Sequence, residues 1–385
     1  MADLGQVFGA AESIERCIDL IASIADPATD ATWQSAALVG LARGLRARGM
    51  AEAGRSPLLS ILAADTPRAR TARTRVDALI VRARAIAASD DTPAALRVPA
   101  VELLGHRHFG DSGETLLGLL APSVPADVQL AAVRALGQMS EREAAARLLD
   151  ARRWQSYTPR TRDAVLTLLL GDARHVHILL DALEQRQMGQ NVLNVAWRDR
   201  LVRHRDPAIR ARATRVLASG LGTSGPDTNS RGAGNRMQTY ERVRPDVLRR
   251  AGDPSRGAHQ YTRHCQACHT VDRSGGHTGP DLSGIRNQPA DAILLHILVP
   301  DHEITPGYDA YSVETRDGRA LFGRLESEAP NSVTVRDATG QPHAILRRDI
   351  VSMTAAPSSL MPTGFEEAMS AQELADLLAY LRSPR

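Results

Sequence analysis

The sequence predicts a mainly α-helical protein: an α-solenoid of stacked helix pairs, then a smaller helical domain carrying an antiparallel β insertion. Three observations carry that prediction. The 385 residues are 43% hydrophobic but only 3% aromatic, so Ala, Leu and Val must fill the core, which suits closely packed helices better than a large sheet. A helical pattern with short breaks at Pro, Gly and Asp runs from about residue 9 to residue 218. Between residues 310 and 354 the texture becomes alternating apolar and polar, the two-residue period of strands.

The first part repeats itself. Leu96, Ala100-Val101 and Leu104 share their spacing with Val128, Ala132-Val133 and Leu136, and with Arg160, Ala164-Val165 and Leu168; the alanines lie 32 residues apart, twice. Ile209, Ala213-Thr214 and Leu217 repeat the form after 49 residues, and Trp33, Ala37-Leu38 and Leu41 precede it by 63. A small residue at each crossing lets helices approach closely, and this recurrence predicts a HEAT-like helical repeat domain over 1–218. An irregular bundle rich in Ala and Leu is the alternative. Within it, His106/His108 and His175/His177 are i,i+2 pairs on different helix faces, read as surface or capping residues. Cys17 reads as a buried thiol.

Residues 219–234 break the periodicity with Gly, Ser, Asn, Asp and Pro, so 219–252 is expected to be a linker plus a short helix near 236–250, interrupted at Pro245. The final domain spans 253–385. Asp253-Pro254 reads as an N-cap with Pro at N1. Segments 310–317, 320–327, 331–337, 341–346 and 349–354 read as strands, with turns at Asp317-Gly318 and Thr339-Gly340, inside an insertion over 302–356. Residues 371–382 read as a helix with Leu374, Leu377, Leu378 and Leu381 on one face.

All 47 basic residues are Arg; they are interspersed with 44 acidic residues for a net charge of +3, which argues against a nucleic-acid partner. No run approaches the ~18 apolar residues of a membrane-spanning helix. Three cysteines are too few for a disulfide framework.

Two of those cysteines stand in Cys265-Gln266-Ala267-Cys268-His269, the attachment pattern of c-type haem. Two intervening residues make one backbone turn, so both sulfurs can reach neighbouring vinyl groups of a porphyrin, with the histidine beneath the iron. A redox dithiol or half a zinc site would also use CxxC. The zinc reading lacks a second CxxC, and the dithiol reading lacks a βαβ context. Gly279-Pro280-Asp281-Leu282 follows ten residues after His269, and the Pro280 carbonyl is a candidate acceptor for the imidazole Nδ1–H. Met361, in Ser359-Leu360-Met361-Pro362, is the candidate second axial ligand; Met353, His296 and His302 are its competitors. His277 reads as solvated and His264 as a rim residue, and Arg286, Arg324, Arg347 and Arg348 each read as solvated charges.

On these motifs, residues 253–385 resemble class I cytochrome c, in particular the haem-binding domain at the C-terminus of planctomycete-type membrane-bound dehydrogenases. The matching positions are Gly252-Asp253, Gly257, Cys265 to His269, Gly279 to Leu282, Gly318-Arg319 with Gly323, Ser359 to Pro362, and Tyr380-Leu381. Helical repeats commonly precede that domain. The resemblance implies one covalently attached haem c with His269 and Met361 on its iron, and a redox protein or dehydrogenase domain as partner. A β-propeller dehydrogenase domain often accompanies that family; none is read here, so the chain reads as an electron carrier rather than a self-sufficient catalyst. The other two readings are the cytochrome part of a dehydrogenase acting on sugars or alcohols, and an interaction scaffold with structural haem. Haem c attachment implies a periplasmic location. Residues 1–20 lack a basic and then continuously apolar leader, so the chain is expected to be a piece of something longer or to have a displaced start.

Overall fold

A computed structural model describes residues 14–49, 56–139, 141–185, 187–188, 193, 195–218, 230–305, 307–356 and 358–383. Residues 1–13, within the stretch that does not read as a leader, and 219–229 of the expected linker lie outside the described residues. The chain divides into two compact units, 1–182 and 183–385.

The first unit is helical: α1 (Ile14–Ile24), α2 (Ala31–Ala47), α3 (Pro57–Leu62), α4 (Pro67–Ala88), α5 (Ala94–Leu104), α6 (Phe109–Gly118), α7 (Ala126–Gln138), α8 (Arg142–Leu148), α9 (Ala151–Ser156) and α10 (Pro159–Leu169). A further helix, α11 (Ala173–Glu184), runs across the division. The sequence places helix starts by local chemistry. Asp30, Thr66, Asp150 and Thr158 cap the first-turn amides of α2, α4, α9 and α10, and Pro occupies the first turn of α3, α4 and α10.

The helices carrying the alanine repeat pack in succession, α2 on α5, α5 on α7, and α7 on α10. Ala37, Ala100 and Ala132 are buried on these helices, and Ala164 is half-buried. Buried Glu102 of α5 accepts from Arg43 of α2 and Arg134 of α7, each at 3.0 Å, so one carboxylate ties three helices. His106 differs from its expected surface role. It is buried, its Nδ1 lies 2.9 Å from Ser56 Oγ, and burial beside Arg46 and Arg43 pushes its pKa down to about 3. His175 is buried as well.

The second unit contains α12 (Val195–Val202), which packs on α13 (Pro207–Ala218), then α14 (Ser230–Arg249) and α15 (Pro254–His264). The short strands β1 (Thr270–Val271) and β2 (Ser274–Gly275) form a hairpin, followed by α16 (Ala290–Leu298). Five strands come next: β3 (Ala310–Thr315), β4 (Ala320–Glu328), β5 (Ser332–Asp337), β6 (Pro342–Leu346) and β7 (Ile350–Ala355). Helices α17 (Phe365–Ala368) and α18 (Ala371–Arg382) close the chain.

Helix α14 starts at Ser230, earlier than expected, and runs through Pro245 without a break. Pro245 and Glu241, whose carbonyl loses its amide donor there, are both exposed, so water can satisfy that carbonyl while Tyr240 and Val247 hold the other face in the core.

Two separate apolar cores organise this unit. Tyr240, Tyr261, Leu294, Leu298, Leu377 and Leu381 belong to a helical core; Tyr311, Val313, Leu325, Val335, Ile345 and Met353 belong to the sheet. The sheet is antiparallel in the order β6-β5-β4-β3-β7, so its first and last strands are neighbours and the Ala356 amide donates to Ala310 O at 2.7 Å. The insertion therefore leaves and rejoins the helical core at one neck.

Candidate functional site

Asp253 caps α15 by accepting from the Arg256 amide, and Pro254 occupies the first turn. This helix ends at the cysteine motif. Its position is set by α18: a Cβ on Gly257 would stand 2.0 Å from Asp376 O, so only glycine permits this approach. Buried Asp376 accepts from Arg256 Nε at 2.7 Å and Nη2 at 2.9 Å, and from the Asp253 amide at 2.7 Å. The Arg256 bonds hold its carboxyl down at about 2, against the cost of burial. The Tyr261 and Tyr380 rings meet at a 40° tilt between the same two helices, their centroids 5.4 Å apart.

The motif folds as one turn. The amides of Cys268 and His269 both donate to Cys265 O, at 3.1 and 2.9 Å. Neither cysteine is in a disulfide, and burial, with Cys268 adjacent, pushes the Cys265 thiol up to about 11. A reactive redox dithiol needs electropositive surroundings that lower this value; the environment here does the reverse. Among the described residues no group of three or more His, Cys, Asp and Glu is arranged to hold a metal ion.

His269 is fixed from both ends. The Tyr261 hydroxyl donates to its carbonyl at 2.7 Å, and its Nδ1–H donates to Pro280 O at 2.8 Å. Burial lowers the imidazole pKa while the Pro280 carbonyl opposes that shift. The neutral ring with Nδ1 protonated leaves the Nε2 lone pair as its donor, the form a metal-ligating histidine takes. Gly279 makes room: a Cβ there would meet His269 Cε1 at 2.6 Å. The attachment loop is also pinned by the Gly279 amide on Cys268 O at 2.7 Å and the Gly276 amide on Gln266 O at 2.8 Å.

The structure thus brings Cys265, Cys268, His269 and Pro280 together. Met361 is half-buried and packs on the same helical core as Cys265 and Leu282. Of its competitors, Met353 is buried in the sheet core and His302 is exposed, while His296 is half-buried on α16 with Nε2 3.8 Å from Glu303. Arg347, expected as a solvated charge, is instead buried and paired with Glu328 at 3.0 Å. Arg324 is also largely buried, 4.5 Å from the Tyr308 ring centroid. His277 is exposed, and the His264 ring stands 6.4 Å from that of Phe365.

Two features escaped the sequence reading. Buried Thr278 lies beside the β5–β6 turn, where a Cβ on Gly340 would be 3.8 Å from its Oγ1, so the insertion comes close to the attachment loop. Asp301 binds the segment leading to Met361 through the Ser359 amide at 2.7 Å. Neither has a local signal, because each depends on residues far apart in the chain.

The residues present fit a c-type haem: two unpaired thiols one turn apart, a neutral imidazole with an anchored Nδ1–H, and a glycine whose missing side chain admits that ring. The cytochrome c family model matches residues 254–328, from the start of α15 to the end of β4. No curated protein matches the chain significantly. The match supports a class I cytochrome c-like haem domain in this part of the chain, and with it covalently bound haem c with its iron, an electron-transfer role, a redox partner and an extracytoplasmic location. No helix among the described residues is long and apolar enough to cross a membrane.

Proposed function

We propose that this chain is a single-haem electron-transfer protein, with Cys265 and Cys268 as the thioether residues and His269 and Met361 as the axial ligands. The observation that carries the reading is the His269 ring, oriented by Pro280 O at 2.8 Å above a position where only glycine fits, one turn from two unpaired thiols. Haem c supplies one-electron chemistry at iron when bound. The chain's own residues do the rest. Pro280 holds the proton on Nδ1 and keeps Nε2 as the donor, and the Tyr261 hydroxyl fixes the backbone that carries the ring. Leu282, Ile285 and Leu295 border the same apolar core and exclude water from that side, which with the axial ligands sets the potential.

The partner we propose is a redox protein or dehydrogenase domain, and the location periplasmic. The helical part serves as a HEAT-like docking scaffold, a reading supported by the successive packing of α2, α5, α7 and α10. The test is a haem-stained denaturing gel of protein produced in a cytochrome c-maturing periplasm. Wild type should retain haem through denaturation, and Cys265→Ala with Cys268→Ala should lose it. A colourless wild type that binds stoichiometric zinc would overturn the reading.

A further inference from the structure

The neck of the β insertion holds a hydrogen-bonded chain that ends on the backbone of Met361. The chain leaves the helical core just after α16, where the His302 amide closes a turn onto Val299 O at 2.9 Å with Pro300 and Asp301 at its centre. It returns through Ser359. Both oxygens of Asp301 are engaged at this crossing: Oδ1 accepts the Ser359 amide at 2.7 Å, and Oδ2 pairs with Nη2 of Arg236 from α14. Ser359 Oγ then accepts the Met361 amide at 3.1 Å. Asp301 and Arg236 are largely buried, with side chains 15% and 24% exposed.

We propose that Asp301, held by Arg236, is a positioning residue that sets where Met361 stands, so that the intervening sheet does not displace it. This rests on the proposed ligation by Met361. The physical case is one of slack. Residues 302–356 separate the two sides of the neck, and a long excursion leaves its ends free to wander unless they are tied. The Asp301 carboxylate joins exit and return directly, with a charge-assisted bond on one oxygen and a backbone amide on the other. Helix α14 supplies the third point of the clasp. It lies upstream of the segment that matches the cytochrome c family.

The test uses the full-length protein in two measurements. The first is amide hydrogen exchange of Ser359 and Met361, which needs no assumption about iron. Asp301→Ala should speed exchange there about tenfold or more, the loss of one well-made hydrogen bond, while α18 keeps wild-type protection. Asp301→Asn, which keeps an oxygen for the Ser359 amide, should stay closer to wild type; if the alanine protein does not fold, Arg236→Gln, which takes away the cation that holds Asp301, should speed exchange at Ser359, and wild-type exchange in Arg236→Gln would overturn the proposal. The second is imidazole affinity of the oxidised protein, which should rise in both Asp301→Ala and Met361→Ala. Wild-type exchange in Asp301→Ala would overturn the proposal. So would faster exchange with unchanged imidazole affinity in Asp301→Ala while Met361→Ala raises it. If Met361→Ala leaves imidazole affinity unchanged, the ligand assignment fails, and the exchange measurement still decides whether Asp301 ties the neck.

Discussion

Among the four side chains able to serve opposite His269, packing separates the candidates more sharply than chemistry does. Met353 is 1% exposed among the sheet's apolar residues, and extracting it would open a cavity in that core. His302 is exposed on the insertion side of the neck, and His296 stands within ion-pair range of Glu303. Met361 alone combines partial exposure, contact with the core that Cys265 borders, and a backbone fixed by Ser359. Met361→Ala should therefore abolish the weak methionine-to-ferric-iron absorption band and lower the reduction potential, by on the order of 0.2 V within the ~0.8 V that axial ligands span. Spectroscopy with potentiometry checks it. An unchanged band and potential would remove Met361 and turn attention to His296.

At the scale of elements, the contact between α15 and α18 is the joint that orients the cysteine motif. Its polar centre is Asp376, 2% exposed, with four donors on its carboxylate: two from Arg256, the Asp253 amide and the Gln372 side-chain amide. The folded carboxyl titrates at about 2, below the ~3.9 of an unfolded aspartate. The unfolded state therefore binds the proton first, so the contribution is complete above about pH 4 and disappears as pH falls toward 2. Asp376→Asn should cost about 1–3 kcal/mol near neutral pH, and its unfolding midpoint should converge with that of wild type near pH 2. Denaturant unfolding at several pH values reads both, and a difference that persists unchanged at pH 2 would rule out the carboxylate as its source.

Much of this unit is legible in local sequence. Gly318 and Gly340 take φ +82° and +87° at the turns expected between strands, and the strands lie where the alternation places them. The turn from Cys265 to His269 and the approach of Pro280 fall within one short segment. What is not legible is long-range. Arg236 meets Asp301, Asp301 meets Ser359, and Thr278 comes close to Gly340 across 58 to 65 residues, and no local pattern announces such pairings. Pro245 misleads for a related reason: its rule is local, whereas the core that keeps α14 helical is tertiary.

For the whole molecule, the consequence concerns where the haem-bearing part begins. The sequence pattern and the family match both start it at 253 or 254, which makes α14 an accessory. The packing includes it. Tyr240 and Val247 are 5% and 1% exposed within the helical core, Tyr240 Oη donates to Asp291 of α16 at 2.5 Å, and Arg244 brackets the same carboxylate at 2.6 and 2.9 Å. Arg236 reaches the neck from the same helix. Removing α14 would bare apolar surface on α16 and α18, leave Asp291 and Asp301 without their cations, and cost about 3–6 kcal/mol from two large buried side chains and the broken polar contacts. A chain of residues 230–385 should therefore bind haem and unfold cooperatively, whereas residues 253–385 should unfold at markedly lower denaturant, expose its iron to imidazole, or fail to mature. Equal denaturation midpoints and equal imidazole affinities for the two chains would show that α14 rests on the haem domain without supporting it, and would return the boundary to residue 253.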